Sequence, residues 1–539
     1  MRVFEVIIAL LLAGAGLTAI SRRIGAPYPA LVALAGAGLA LVPYTPTLSL
    51  DPALALTLFV APVLLDAAFD ASLRDLRANW RTVAGLAIGA VALTIAVVAI
   101  VARFVVPAMP WSVAVALGAI VAPPDAAAAT AVLKQLRPPY RLLVILEGES
   151  LFNDASALLV YRLAVDVTLA ATLSPALEVP LLLGVIVGSV ALGLVLSRLM
   201  IRLMGHIHDI AIAVVVQFCG AFAVWMLADA LHLSAILTMV VFAMSTSRRS
   251  ADITPARVRI PSYAVWDFAV FVLNVLAFIL TGFQLKGILR RLDRHTLFDY
   301  LGFAAVICAA TIAARIVWVS GAAAGNRWRS RAARNPDGAR RADVVLSKGS
   351  AVVVGWCGMR GIVTLATALA LPLHGPGGAP FPYRDLILFT AFGVVLGTLV
   401  LQGLTLRPLL ARLRLEDDRS VDREVRLARV EILRAALHAI KPLCQDEMST
   451  LLRRRYEVTL AHAEADLEGR GVGDDGMTLA DHRAIDANIA RRATATERRR
   501  LVALRAAGTI GDVAFQRVEQ ELDLEELDLR ALVPTDEEA

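Results

Sequence analysis

From Met1 to about Leu413 the chain is a succession of apolar runs, interrupted only by short polar connections. Each run is roughly 17–25 residues long, the length a helix needs to cross the hydrocarbon core of a bilayer. In lipid every backbone N–H and C=O must find its partner inside the segment, so runs of this length can only be helices. The pattern therefore restricts this part to an all-α polytopic membrane fold. Hydrophobic residues make up 58% of the 539 positions and charged residues 19%, and mean hydropathy is +0.68. Beyond Leu415 the chain becomes dense in Arg, Glu and Asp. Two domains are expected, a transmembrane domain over 1–413 and a helical tail over 414–539.

Thirteen spans are read, at 3–20, 27–43, 52–70, 81–105, 111–133, 141–166, 175–203, 208–231, 233–246, 262–285, 299–320, 349–372 and 385–411. The first could be a secretory signal, but Arg22 and Arg23 directly after it read as a flank that stays on the cytoplasmic side. A formal charge of +6 raises the question of nucleic acid. The Arg residues instead sit in short connections between spans, where the positive-inside rule puts them, so no nucleic-acid partner is expected. Basic connections, such as Arg74 to Arg81 and Arg327 to Lys348, alternate with connections nearly free of Lys and Arg, such as Thr45 to Leu50 and Leu373 to Tyr383. That alternation puts the N-terminus outside and the tail in the cytoplasm. Lys286, Arg290, Arg291 and Arg294 break it and read as an amphipathic segment at the interface. Cys219, Cys308, Cys357 and Cys444 are isolated, and the eight His are scattered, so disulfides and structural zinc are not expected. The tail carries repeating Arg and Glu with no catalytic, nucleotide or cofactor motif, which leaves regulation or assembly as its role.

Ionisable side chains inside spans cost about 2.5–3.5 kcal/mol each on insertion scales and are functional candidates. The third span carries Asp66 and Asp70, the fifth Asp125, and the sixth Glu147, Glu149 and Asp154. In Glu147-Gly-Glu-Ser150-Leu-Phe-Asn153-Asp154, helical spacing puts Glu147, Ser150 and Asp154 on one face. A hydroxyl and a carboxylate one turn apart are hard oxygen ligands, suited to a small cation such as Na+. In the fifth span Pro123 and Pro124 remove two backbone donors just before Asp125. The carbonyls so freed are tolerated where they line a cavity, and transporters use such breaks to build binding sites. In the twelfth span Arg360 lies among Gly355, Gly358 and Gly361, which permit close approach or local unwinding. A buried Arg stays charged and needs an anionic partner, for which Glu149 is the choice. Arg315, near the cytoplasmic end of its expected span, reads as a snorkelling side chain.

Asp125 in the broken span and Gly148-Glu-Ser-Leu-Phe-Asn-Asp154 are 29 residues apart between aspartates (154 − 125). Phe271 to Gly282, Gly358-Met-Arg360-Gly361 and Phe392 to Leu406 follow in order, and the tail adds Gly508 to Glu525. In these motifs the chain resembles the sodium/proton exchangers of the cation/proton antiporter-1 family, in its bacterial branch. The resemblance covers essentially the whole transmembrane domain. It implies about 13 helices with inverted repeats, two crossed broken helices and a homodimer in the bacterial cytoplasmic membrane. It also implies exchange of Na+, or of Li+ or K+, for H+ by alternating access. Asp154 would then bind ion and proton, with Ser150 as a hydroxyl ligand, Asp125 near the ion, and Glu149 and Arg360 as a structural ion pair. Asn153 before Asp154 goes with electroneutral exchange. Three positions depart from the family's pattern. Pro124-Asp125-Ala126 stands where Thr-Asp-Pro is usual, leaving the Pro124 carbonyl as the only ligand there, and Asp66 stands where the family usually has Glu.

Three other functions compete. A channel would want a carbonyl-filter motif, which the chain lacks. An intramembrane enzyme would want a His or Cys beside the acids, and neither His374 nor Cys357 supplies a nucleophile–base pair. A sensor that signals through its tail remains a third.

Overall fold

The computed structural model describes residues 2–24, 28–41, 54, 56–133, 138–170, 175–289, 294–332, 347–375, 379–413, 415, 420–443 and 447–468, with scattered positions between 493 and 524. The chain divides into two compact units, Met1–Asp418 and Arg419–Ala539. Among the described residues the regular elements are helical, and one isolated bridge joins His374 and Pro380.

The first unit begins with α1 (Arg2–Ile24), α2 (Tyr28–Leu41), α3 (Ala61–Asp70, after a π turn at Leu56–Val60) and the short α4 (Leu73–Ala78). There follow α5 (Trp80–Val105), α6 (Trp111–Val121), α7 (Ala126–Leu133), α8 (Tyr140–Ala170) and α9 (Pro175–Met204). The series continues with α10 (Ile210–Ala230), α11 (Ala235–Ile253), α12 (Ala256–Leu289) and α13 (Arg294–Ala332). The last three are α14 (Lys348–Trp356), α15 (Ile362–Leu369) and α16 (Arg384–Leu413). Several begin where a short polar side chain caps the first turn: Asp209 accepts from the Ile212 N–H at 2.9 Å, and Ser347 from the Ser350 N–H at 3.0 Å.

Among the described residues six helices are long and apolar enough to cross a membrane, the longest apolar stretch being His295–Gly325. Their outward side chains include Phe104 at 86%, Phe298 at 72% and Phe268 at 68% exposure. In water so much exposed aromatic and aliphatic surface would drive aggregation, whereas in lipid it is the expected exterior. Two expected spans are not single helices. The fifth is α6 and α7 separated at 122–125, and the twelfth is α14 and α15 separated at 357–361. At the first break the cause is local, because Pro123 and Pro124 cannot donate to the carbonyls of Ala119 and Ile120.

The second unit contains α17 (Ser420–Ile440) and α18 (Glu447–Glu468), joined through a 3-10 turn at Lys441–Leu443. Arg434 reaches from α17 to Glu464 on α18 at 2.7 Å. Repeating charges at helical spacing predict one helix from Arg419 to about Glu468; the turn corrects this, and Pro442 within it has no N–H to donate. Leu501, Phe515 and Leu522 form a small buried cluster later in the tail. Gly469 to Gly476 and Gly508 to Gly511, whose glycines favour breaks in the tail's helices, lie outside the described residues, as do Arg290 and Arg291 of the interfacial segment.

Candidate ion-exchange site

The two breaks meet. The Asp125 N–H, which in a continuous helix would bond the Val121 carbonyl, instead donates to the Met359 carbonyl at 2.7 Å. The carbonyls left over at the end of α6 are taken by Arg360, whose Nε donates to Val121 at 2.9 Å and Nη2 to Ala122 at 3.2 Å. Its Nη1 donates to the Gly358 carbonyl, and its own N–H to Thr398 Oγ1 on α16 at 3.0 Å. A fully buried guanidinium thus sits at the negative end of a half-helix, where a cation is favoured. The Asp125 carboxylate lies against Gly361, the residue ahead of α15. A Cβ added there would fall 1.7 Å from Asp125 Oδ2 and 2.5 Å from its Cγ. Gly361→Ala is therefore expected to push the carboxylate aside and, for the exchange that the family resemblance implies, to lower flux roughly tenfold, since misplacing a participating group by about 1 Å costs that much or more. Proton flux in proteoliposomes checks it, with wild-type flux showing that the close approach does not matter.

On α8, Asn153 Nδ2 donates to the Pro124 carbonyl at 2.9 Å, tying that helix to the first break. A carbonyl has two lone pairs, so one remains for another donor or a cation. Asp154 is 7% exposed and follows directly on this anchor. Ser150, Asp154 and Glu147 on α8 line a cavity of about 210 Å³ together with Asp66 and Asp70 on α3 and Pro124 and Asp125 at the first break. Tyr28, Thr130 on α7, Asn274 on α12 and Thr364 on α15 complete its polar wall. Thus the expected ligands, Asp154, Ser150, Asp125, Asp66 and Pro124, all border one space. Among the described residues no three His, Cys, Asp or Glu side chains converge tightly enough to hold a metal by themselves. The acids are spread around the cavity wall. Asp66 and Asp70 also border a second cavity, of about 370 Å³, bounded by Met204, Phe242, Arg259, Tyr263, Trp266 and others.

The buried ion pair differs from the one expected. Glu149 pairs with Arg315, not with Arg360: Nη1 and Nη2 of Arg315 meet its two carboxylate oxygens at 2.5 and 2.8 Å. The Arg315 Nε donates to the Val354 carbonyl at 3.1 Å, so the pair links α8, α13 and α14. Both side chains are buried, at 2% and 1% exposure. The snorkelling reading of Arg315 fails for a geometric reason. Its guanidinium turns inward, to the Glu149 carboxylate and the Val354 carbonyl, and is buried there, so it does not reach out to the bilayer interface. Arg360 needs no carboxylate because the proline break supplies it with carbonyls. Arg315 is the partner of Glu149 that the sequence does not single out; its signal there is an Arg within an apolar run.

Discontinuous helices that cross beside a buried carboxylate, within a unit whose exterior is apolar, define the class of polytopic membrane transporters. The chain belongs to the sodium/hydrogen exchanger family, whose transmembrane sequence model matches residues 7–412. An uncharacterised Na+/H+ exchanger of Mycobacterium tuberculosis, strain H37Rv, is 30% identical over 99% of this chain and 97% of its own length. A sodium, potassium, lithium and rubidium/H+ antiporter of Bacillus pumilus is 27% identical over 86% of this chain and 70% of its own length. Among solved structures, the sodium proton antiporter MjNhaP1 of Methanocaldococcus jannaschii at pH 8 matches with a TM-score of 0.59 at 17% identity, over 77% of this chain and 99% of that one. At that identity the likeness is one of fold.

Proposed function

We propose that the protein exchanges Na+ for H+ across a bacterial cytoplasmic membrane at a single carboxylate site centred on Asp154. The observation that carries this reading is the cavity in which Asp154 and Ser150 face Asp125 and Asp66 beside the two breaks. A carboxylate taken out of water is costly to leave charged, and either a proton or a cation neutralises it. Na+ and H+ then compete for Asp154, and the empty charged site crosses the apolar barrier poorly. Only loaded forms move, so the exchange is obligatory. Ser150 adds a hydroxyl ligand, the free lone pair of the Pro124 carbonyl another, and Asp125 and Asp66 on the same cavity hold the ion with them.

One Na+ outward for one H+ inward moves no net charge, in keeping with an Asn at 153, and a proton gradient then expels Na+ and adjusts internal pH. The glutamate–arginine pair is structural in this scheme. The charge pattern of the connections supports an N-terminus outside and a cytoplasmic tail, which serves regulation or assembly, and family membership supports a homodimer. Addition of Na+ to everted vesicles holding an acid interior should dissipate the pH gradient, with Li+ and K+ tested beside it as competing cargo. Vesicles in which none of the three cations moves protons would remove the proposal.

Asp66 tunes selectivity in this reading. Its arm is one methylene shorter than that of Glu and leaves more room beside the cation. Asp66→Glu is expected to change the ratio of apparent KM values for Li+, Na+ and K+ at fixed pH while exchange continues. A common factor on all three, or no change, would take Asp66 out of the coordination shell.

A further inference from the structure

Half-helix α15 brings to the cavity one polar side chain that neither the motifs nor the buried pairs explain. Thr364 lines the cavity with Ser150 and Asp154, is 1% exposed, and its Oγ1 has no hydrogen-bond partner. Threonines within the long helices return their hydroxyl proton to the carbonyl four residues back: Thr94 to Ala90, Thr311 to Ile307, and Thr398 to Val394, at 2.7–2.8 Å. That route keeps a buried hydroxyl satisfied without any second helix. Thr364 is denied it, because the residue four back is Arg360, which belongs to the unwound segment ahead of α15. Thr238 in the first turn of α11 also lacks a partner, but it does not border this cavity. A buried hydroxyl without a partner is destabilising, so the position invites a ligand that answers it.

We infer that the Thr364 hydroxyl is a further ligand of the transported cation, supplied by the second broken helix to the cavity that Ser150 and Asp154 also line. This rests on the cavity being the exchange site. A hydroxyl oxygen has the hardness an alkali cation prefers, and one χ1 rotation between staggered wells redirects it. Pro124 offers only a carbonyl, already engaged by Asn153, so a hydroxyl from α15 adds an oxygen that the first break does not provide. In this role Thr364 sets cation affinity, not the chemistry of proton release.

The test compares Thr364→Val, which replaces the hydroxyl by a methyl group of the same shape, with Thr364→Ser, which keeps it. In proteoliposomes under an imposed pH gradient, valine should raise the apparent KM for Na+ roughly tenfold, the worth of one such contact, with little change in maximal rate. Serine should stay near wild type in both. The midpoint of Na+-dependent thermal stabilisation of the purified protein should shift in parallel, a reading that needs no transport. A valine variant with wild-type KM and midpoint overturns the inference and leaves exchange at Asp154 standing. Should valine prevent folding, alanine against serine makes the same comparison, and equal midpoints again overturn it. Wild-type protein with no Na+-dependent proton flux would overturn the exchange reading itself, and this inference with it.

Discussion

Asp154→Asn is expected to insert and fold like the wild type and to transport nothing. The amide keeps the shape of the side chain, and Asn153, the neighbour that anchors α8 to the Pro124 carbonyl, is untouched. What is lost is the ability to alternate between a bound proton and a bound cation. The amide is neutral throughout, so neither ligand is required for it to cross the apolar barrier, and neither is driven by the other's gradient. Flux measured in proteoliposomes with Na+, Li+ and K+ should sit at the level of protein-free vesicles for all three. Retention of more than a few per cent of wild-type exchange would place the obligatory carboxylate elsewhere, with Asp125 the first alternative on the same cavity.

The second large effect is on stability. Glu149→Gln leaves the buried Arg315 guanidinium without its carboxylate, and breaking such a pair on one side costs about 3–5 kcal/mol in known cases. Arg315→Gln should cost a similar amount by stranding Glu149. Replacing both with leucine removes the charges together and should recover most of the loss, because an apolar pair of similar volume is often neutral or better than a buried ion pair. Arg360 supplies the control. Its hydrogen-bond partners are the carbonyls of Val121, Ala122 and Gly358, so Arg360→Gln should rescue Glu149→Gln less than an Arg315 change does. Melting temperatures in one detergent across these variants decide the matter. Rescue of Glu149→Gln by the Arg360 change, and not by an Arg315 change, would reverse the pairing.

Much of the fold is legible in the residues because the bilayer leaves so few options. A run such as Val3 to Ile20 or Trp111 to Leu133 can satisfy its backbone in lipid only as helix, and the described helices lie where such runs were read. The break before α7 was visible for the same local reason, since Pro123 and Pro124 remove donors whatever surrounds them. The break ahead of α15 was weaker in the sequence. Gly358 and Gly361 allow unwinding but do not compel it, and what holds it open is Arg360 bonding to carbonyls of the other broken helix. The 3-10 turn between α17 and α18 carried the same local signal as the break before α7, since Pro442 within it has no N–H to continue a helix.

The charged residues divide the same way. That carboxylates at 66, 125, 147, 149 and 154 sit inside apolar runs is a fact of the sequence alone, and the energetic cost of each made it a candidate. Spacing along α8 also put Ser150 and Asp154 on one face, because helical periodicity is local. Partner choice is not local. Glu149 had two buried arginines within reach of inference, and only the crossing of α8, α13 and α14 decided for Arg315, while the carbonyls exposed at the end of α6 answered Arg360. The same packing brought Asp66, Asp125 and Thr364, three segments far apart in the chain, to one cavity wall. Backbone satisfaction in lipid acts along the sequence and can be read there. The pairing of buried charges and orphaned carbonyls depends on which helices meet, and that was settled only in three dimensions.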